Sequence, residues 1–253
     1  MLRSDRVFCV EAFDLTDPLV RAAEQLYNAT QHPDERIPWG WIARSLKGRV
    51  GWRPGDTGRH LLLAVPEEHP ADPAHLAGFA FGTHIPGYGG YLSYLGVSEQ
   101  YRRRGVGTRL FDQMFKVLAA DAGALDEGLP FVVWESKKPA ADAPPADHAL
   151  WQARLKLFGR AGGLLVDCLN LHTPNYAAGG GPPVTLQLFV KPVEWPAEMF
   201  TPARLRDLGA GMLSRVYRLD PADPLVLATL TGADPRLRPV GAKRAGVGAG
   251  RLH

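Results

Sequence analysis

Cysteine is scarce in this 253-residue sequence: Cys9 and Cys168 are the only two. Two cysteines without metal-type spacing argue against both a disulfide scaffold and a zinc site. The expected compartment is therefore a reducing one, the cytoplasm. Long hydrophobic runs are missing too. No stretch of eighteen apolar residues occurs, so no membrane span is expected. The opening Met1-Leu2-Arg3-Ser4-Asp5-Arg6 leads into a short strand-like stretch and an acidic residue, without a signal-peptide core. An excess of one charge sign is also lacking. Net charge is +3, and from Thr231 onward Arg236, Arg238, Lys243, Arg244 and Arg251 are set against the single acid Asp234. The rest of the chain is thus close to neutral, and nucleic-acid binding by it is not expected. The tail is too sparse in charge and too poor in aromatics to read as a nucleic-acid arm.

Several catalytic signatures are absent as well. There is no HExxH zinc motif, no Ser-His-Asp set and no pair of carboxylates at glycosidase-type positions. What remains is metal-free chemistry whose reactive group arrives on a co-substrate.

The composition that is present, 45% hydrophobic and 22% charged, suits a globular enzyme with room for one large α/β domain and extensions. Phe8–Phe13 reads as a strand, and Asp17-Pro18 as a helix start with Leu19, Ala22, Ala23 and Leu26 on one face. A Pro/Trp-rich loop precedes a short helix over Ile42–Leu46. Strands are expected over His60–Val65, Leu76–Thr83 and Tyr91–Val97, and then an amphipathic helix over Gly105–Ala120. Phe131–Trp134 reads as a buried strand and Pro139–Asp147 as a loop. A helix over Ala149–Arg160 precedes strands over Leu164–Leu171 and Val184–Val190, with a Gly-rich loop at Gly179–Gly181. Antiparallel strands thus lead into a βαβ unit, which predicts a mixed sheet with helices on both faces. Another helix is expected past Pro196, with Leu205, Leu208, Met212 and Val216 apolar. The Gly/Pro/Ala/Arg-rich end, residues 231–253, reads as a disordered basic tail.

The most informative stretch is Leu95-Gly96-Val97-Ser98-Glu99-Gln100-Tyr101-Arg102-Arg103-Arg104-Gly105-Val106-Gly107-Thr108. A strand ends near Val97, a basic turn follows, and a helix opens at about Gly105. The first amides of a helix lack internal acceptors and carry the positive end of the macrodipole. Glycines at 105 and 107 remove β-carbons that would hold an anion away, so the backbone from Arg103 to Thr108 can form a donor nest for a pyrophosphate. A P-loop would need Lys and Ser/Thr after its second glycine, where Thr108-Arg109 stands. A dinucleotide fingerprint would need glycine in place of Leu110.

Arg102-x-x-Gly105-x-Gly107 matches the Gln/Arg-x-x-Gly-x-Gly/Ala signature of GNAT acetyltransferases, and residues 95–118 resemble that superfamily closely. The resemblance implies an α/β fold with a mixed, mostly antiparallel central sheet flanked by helices on both faces, filling residues 1–195. A helical extension over 196–230 and the tail would follow. It implies an N-acyltransferase that uses acetyl-CoA or another acyl-CoA, without a metal, and acylates a small-molecule or peptide amine by direct attack on the thioester. By the same resemblance Leu95, Gly96 and Val97 contact the pantetheine and acyl group. Arg103, Arg104, Gly105, Val106, Gly107 and Thr108 hold the pyrophosphate, where the family's central strands splay. The extra helix and the later strands leave a homodimer open.

The second half of the site matches less well. Phe158 stands where many members of the family have a tyrosine that protonates the departing thiolate, and Trp151 where they have an asparagine. Phe158 reads as core. An amine acceptor needs a base, because an ammonium has no lone pair to attack with. Glu135, just past the strand Phe131–Trp134, is the candidate; an exposed strand-end residue or a substrate-orienting one are the alternatives. In His172-Thr173-Pro174-Asn175-Tyr176, Tyr176 is a candidate substitute acid, although Pro174 and Asn175 also read as turn chemistry. Trp39 and Trp41 either line an acceptor pocket or pack internally. Without the usual tyrosine, a non-catalytic acyl-CoA-binding protein is the second expectation.

Overall fold

The computed structural model describes residues 6–47, 58–177 and 180–241. Strand β1 (Val7–Glu11) is followed by helices α1 (Pro18–Thr30) and α2 (Trp39–Lys47), then strands β2 (Arg59–Pro66), β3 (Gly78–Ile85) and β4 (Gly89–Val97). Helix α3 (Val106–Ala124), strand β5 (Phe131–Ser136) and helix α4 (Pro145–Arg160) come next, followed by strands β6 (Leu164–Thr173) and β7 (Val184–Pro192). Helices α5 (Pro202–Arg215) and α6 (Pro224–Leu230) and strand β8 (Arg236–Pro239) complete the order. Among the described residues the strands form one eight-stranded sheet, β1-β2-β3-β4-β5-β7-β6-β8. The β4–β5 pair is parallel, and every other pair is antiparallel. This is the expected mixed, mostly antiparallel sheet.

Helix starts follow from local chemistry. Asp17, Thr201 and Asp223 each accept an amide of the first turn through the side chain, and each is followed by proline at the first helical position. Such caps satisfy donors that would otherwise be orphaned, and proline there loses no bond. Strand alternation sends the side chains to two faces. On one face, Leu62, Ala64, Ala80, Val132 and Trp134 pack against Leu110, Phe111, Met114 and Leu118 of α3 and Trp151 and Phe158 of α4. On the other, Leu61, Leu63, Phe79 and Phe81 meet α1 and α2. Farther along that face Val133, Leu188 and Val190 meet Leu205, Leu208 and Met212 of α5 and Val226 of α6. The helical segment after residue 195 is therefore built into the core of the sheet.

Four expectations need correction. The Pro/Trp-rich loop ends sooner, because α2 already begins at Trp39 and so takes in Trp41. The loop over Pro139–Asp147 ends sooner, because α4 already begins at Pro145. The helix α6 was not anticipated, although Asp223-Pro224 repeats the cap-and-proline signal of α1. The tail from residue 231 is not disordered throughout: Arg236–Pro239 pairs with β6, opposing Leu164 to Asp167. A four-residue edge strand, Arg-Leu-Arg-Pro, is too short for its alternation to stand out in a Gly/Pro/Arg-rich stretch. Of the Gly-rich loop, Gly179 lies outside the described residues, as does the tail beyond residue 241.

Candidate functional site

The site begins with a defect in the sheet. Phe81 pairs with Tyr94 and Gly82 with Leu92, so Ser93 is an extra residue in β4. Such a bulge bends its strand. Next to it, β4 and β5 pair only at Gly90 with Val132 and Tyr91 with Val133. Beyond those pairs the two strands part, and a cavity of ≈ 470 Å³ opens between them. Phe111, Trp134, Leu157 and Phe158 line it from the α3/α4 face, and Trp41, Tyr91, Tyr94, Glu135 and Tyr217 from the opposite face. The cavity thus reaches both sides of the sheet.

Glu135 is the lining residue with the strongest polar contacts. Residues 134 and 135 of β5 point to opposite faces, which sends Trp134 toward α3 and α4 and Glu135 toward α5. The Tyr91 hydroxyl donates to Glu135 Oε1 at 2.6 Å, and the Tyr217 hydroxyl donates to the same oxygen at 2.9 Å. The residue keeps partial exposure to the cavity, whereas Oε2 is enclosed and has no hydrogen-bond partner. Burial pushes the carboxyl up to about 7; the two hydroxyls restrain the rise and the nearby charge of Glu35 adds to it. Both tyrosines are pushed well above the ordinary phenol range, first by burial and then by the charge of Glu135. The neighbouring Trp134 Nε1 is also buried without a partner. Two adjacent residues lining one cavity thus each hold a buried polar atom without a partner, a departure from the usual pairing that marks this strand end.

At the head of α3 the backbone takes an unusual course. Arg103 has φ +63° and Gly105 φ +82°, so the chain twice enters the left-handed region within three residues. For Arg103 this conformation costs about 1 kcal/mol. Gly105 is the N-cap of α3 and supplies no side-chain cap. A β-carbon at Gly105 would meet no atom within 4 Å, so the space beside it is open. Gly107 differs: a β-carbon there would lie 3.0 Å from Leu157 Cδ2 and 3.1 Å from Leu157 Cδ1. Its lack of a side chain admits α4, and only Gly105 opens onto free space. Arg102, Arg103 and Arg104 are exposed, with Arg104 over the Tyr101 ring.

The remaining candidates fall into place around these two features. Leu95 lines the cavity, and its carbonyl accepts Gln31 Nε2 at 3.0 Å. Gly96 is packed against Phe79 and Thr30, and neither it nor Val97 borders the cavity. Val106 is buried in the core, and Thr108 is half-buried. Trp41 and Tyr176 do border the cavity and meet edge to face at 5.7 Å, whereas Trp39 packs on Tyr27. The Tyr176 ring lies parallel to that of Tyr217 at 6.3 Å. Asn175 Oδ1 accepts the Ala177 amide at 2.9 Å, the turn chemistry expected of it. His172 lies off the cavity, bonded to Thr185. Phe158 sits among Phe111, Trp134 and Phe189, and Trp151 packs on Phe189. The sequence reading missed Tyr91 and Tyr217, which hold Glu135. Tyr91 lay in a predicted strand with nothing to mark it, and Tyr217 belongs to the turn after α5, distant in sequence.

No curated protein matches this sequence. Residues 23–140 match the family model described as Acetyltransferase (GNAT) family. Among solved structures, a Bacteroides thetaiotaomicron protein assigned to the GNAT acetyltransferases superposes with TM-score 0.54 at 15% identity, covering 85% of this chain and 99% of its own. An aminoglycoside 6'-N-acetyltransferase solved with coenzyme A gives TM-score 0.49 at 16% identity, covering 75% of this chain and 99% of its own. A Bacillus subtilis acetyltransferase solved with CoA gives 0.44 at 11% identity, covering 74% and 99%. No helix among the described residues is long and apolar enough to cross a membrane. Over residues 23–140 the chain is thus similar to the GNAT acetyltransferase family, and its fold is the GNAT fold.

Proposed function

We propose that this protein is an N-acyltransferase that moves a short acyl group from acyl-CoA to an amine, with Glu135 as the general base. The observation that carries this reading is the Glu135 carboxyl. Glu135 lines the cavity with Oε1 held by two tyrosines and Oε2 unpartnered, and burial pushes its carboxyl up to about 7. A base poised near neutrality suits removal of a proton from an ammonium without becoming too weak to hold it.

The residues present fit the co-substrate. The open side of Gly105, the left-handed turns at Arg103 and Gly105 and the first amides of α3 would hold its pyrophosphate. Leu95, Leu157 and Phe158 would line the path of its arm from the α3/α4 face. When bound, it supplies the activated thioester carbonyl. The chain itself does three things. Trp41, Tyr176 and Tyr217 form an aromatic wall on the acceptor side and limit water there. Tyr91 and Tyr217 fix Glu135 Oε1, which leaves Oε2 to take a proton from the acceptor nitrogen. Entry of the two substrates from opposite faces keeps the attacking nitrogen and the acyl carbon in one opening, so orientation contributes directly to the rate.

Phe158 supports a second reading, a protein that binds acyl-CoA without turnover, because this buried ring has no proton to give a departing thiolate. Release of free thiol from acetyl-CoA, followed across a panel of small amines and N-terminal peptides, separates the two. Amine-dependent release at a rate above solution supports transfer. Saturable binding with no release under any amine supports the second reading, and no binding of acetyl-CoA or longer acyl-CoAs overturns both.

A further inference from the structure

The loop between β2 and β3 carries a side-chain cluster apart from the cavity. His69, Asp72 and His75 recur at every third residue, in a stretch that includes Pro70 and Pro73. Each offers one ligand atom, and these atoms all lie within 4.8 Å of one another. The imidazoles of His69 and His75 stack at 4.0 Å with 22° between their planes, so both are presented side by side. Asp72 completes the set: its Oδ2 is 2.8 Å from His75 Nδ1, while its Oδ1 accepts the Ala74 amide at 2.9 Å. That second bond fixes the orientation of the carboxylate. The backbone is held as well, with the His69 amide on the Pro66 carbonyl and the His75 amide on the Asp72 carbonyl, both at 3.0 Å. The short turn Pro73–His75 packs against α1.

We propose that His69, Asp72 and His75 bind a first-row divalent cation of the zinc type. Two imidazole nitrogens and one carboxylate oxygen are donors that borderline cations select, whereas magnesium and calcium demand oxygen shells. Three protein donors leave the remaining coordination to water. Closing the donors to the spacing of about 3.3 Å set by metal bonds of about 2 Å needs only small side-chain rotations. His69 is exposed and the other two are half-buried, so those rotations are open to them. The cation replaces the Asp72–His75 hydrogen bond with two coordinate bonds.

None of the three residues borders the cavity. Their loop leaves β2 at Pro66, the end opposite Arg59, and Arg59 does border it. The cation therefore acts on the loop and its packing against α1 and takes no part in the chemistry at Glu135.

The untagged full-length chain, stripped with a chelator, is titrated with zinc by calorimetry and with cobalt by visible absorption. One equivalent saturating at micromolar concentration is expected, together with a higher melting temperature in zinc. His69→Ala/His75→Ala weakens binding at least about tenfold and abolishes the thermal shift. Asp72→Asn, which keeps the oxygen that caps Ala74, also weakens it. Circular dichroism checks that each variant is folded. Absence of saturable uptake, or uptake unchanged in the double variant and in Asp72→Asn, overturns the proposal.

Discussion

Glu135 on β5 and Tyr217 just beyond α5 are joined by a hydrogen bond of 2.9 Å between the Tyr217 hydroxyl and Glu135 Oε1. The bond ties the cavity's carboxylate to the helical segment after residue 195. That segment thus helps set the chemistry of the site as well as closing the core.

Tyr217→Phe removes a donor that favours the ionised carboxylate. The Glu135 pKa then rises by about one further unit, since a hydrogen bond to a charged group contributes roughly 1.5 kcal/mol. The pH–rate profile of the variant shifts toward higher pH by that amount, and its parallel contact with Tyr176 survives because the ring remains. A profile identical to that of the wild type would detach Tyr217 from the base.

Two glycines of one motif have different duties, and substitution separates them. Gly105→Val forces a β-branched residue into φ +82°, costs about 1–2 kcal/mol of stability and weakens acetyl-CoA binding at least about tenfold in calorimetry. Gly107→Val instead drives a side chain into Leu157 and costs about 1–3 kcal/mol. Leu157→Ala in the same chain recovers part of that loss, which a double-mutant cycle in urea measures.

His60 is buried and bridges two elements, with Nδ1 2.6 Å from Glu11 Oε1 and Nε2 2.7 Å from Asp121 Oδ2. Burial works against its charged form, but the bonds to Asp121 and Glu11 outweigh it and the pKa is raised. The stabilisation is therefore full below the unfolded histidine pKa, about 6.5, and is lost as pH climbs through the higher folded value. Glu135 adds the same sign in a lower window: its raised carboxyl favours the folded state below the ordinary carboxylate range, and that advantage fades as pH rises to about 7. His60→Ala costs about 3–5 kcal/mol at pH 6 by removing the buried partner that Glu11 and Asp121 share and flattens the upper window. Glu135→Gln flattens the lower one and stabilises the protein at pH 8 by about 1–3 kcal/mol. Denaturant unfolding from pH 4 to 9 reads both.

Much of this was legible in the sequence where the signal is local. The strand, basic turn and amphipathic helix around Gly105 announced themselves by glycine spacing and apolar period, and Glu135 stood out as an acid at the end of a buried strand. Contacts distant in sequence were not legible. Tyr91 and Tyr217 meet at Glu135 only after the sheet forms, and the extra residue at Ser93 leaves no compositional mark. Gly107 looked like part of the phosphate cradle because the motif groups it with Gly105, and its contact with Leu157 of α4 is visible only in three dimensions. The edge strand Arg236–Pro239 is only four residues long and pairs on one side alone, so a pattern-based reading passes over it.

The most direct test of the account is the pH dependence of acyl transfer by the wild type and Glu135→Gln, followed as free thiol released from acetyl-CoA with the most responsive amine. The wild-type kcat/KM should rise through an apparent pKa of about 7. In Glu135→Gln the rate should fall at least about 100-fold, leaving only the limb of the amine's own ionisation. A folded Glu135→Gln variant with the wild-type rate and profile would contradict the assignment of Glu135 as the base.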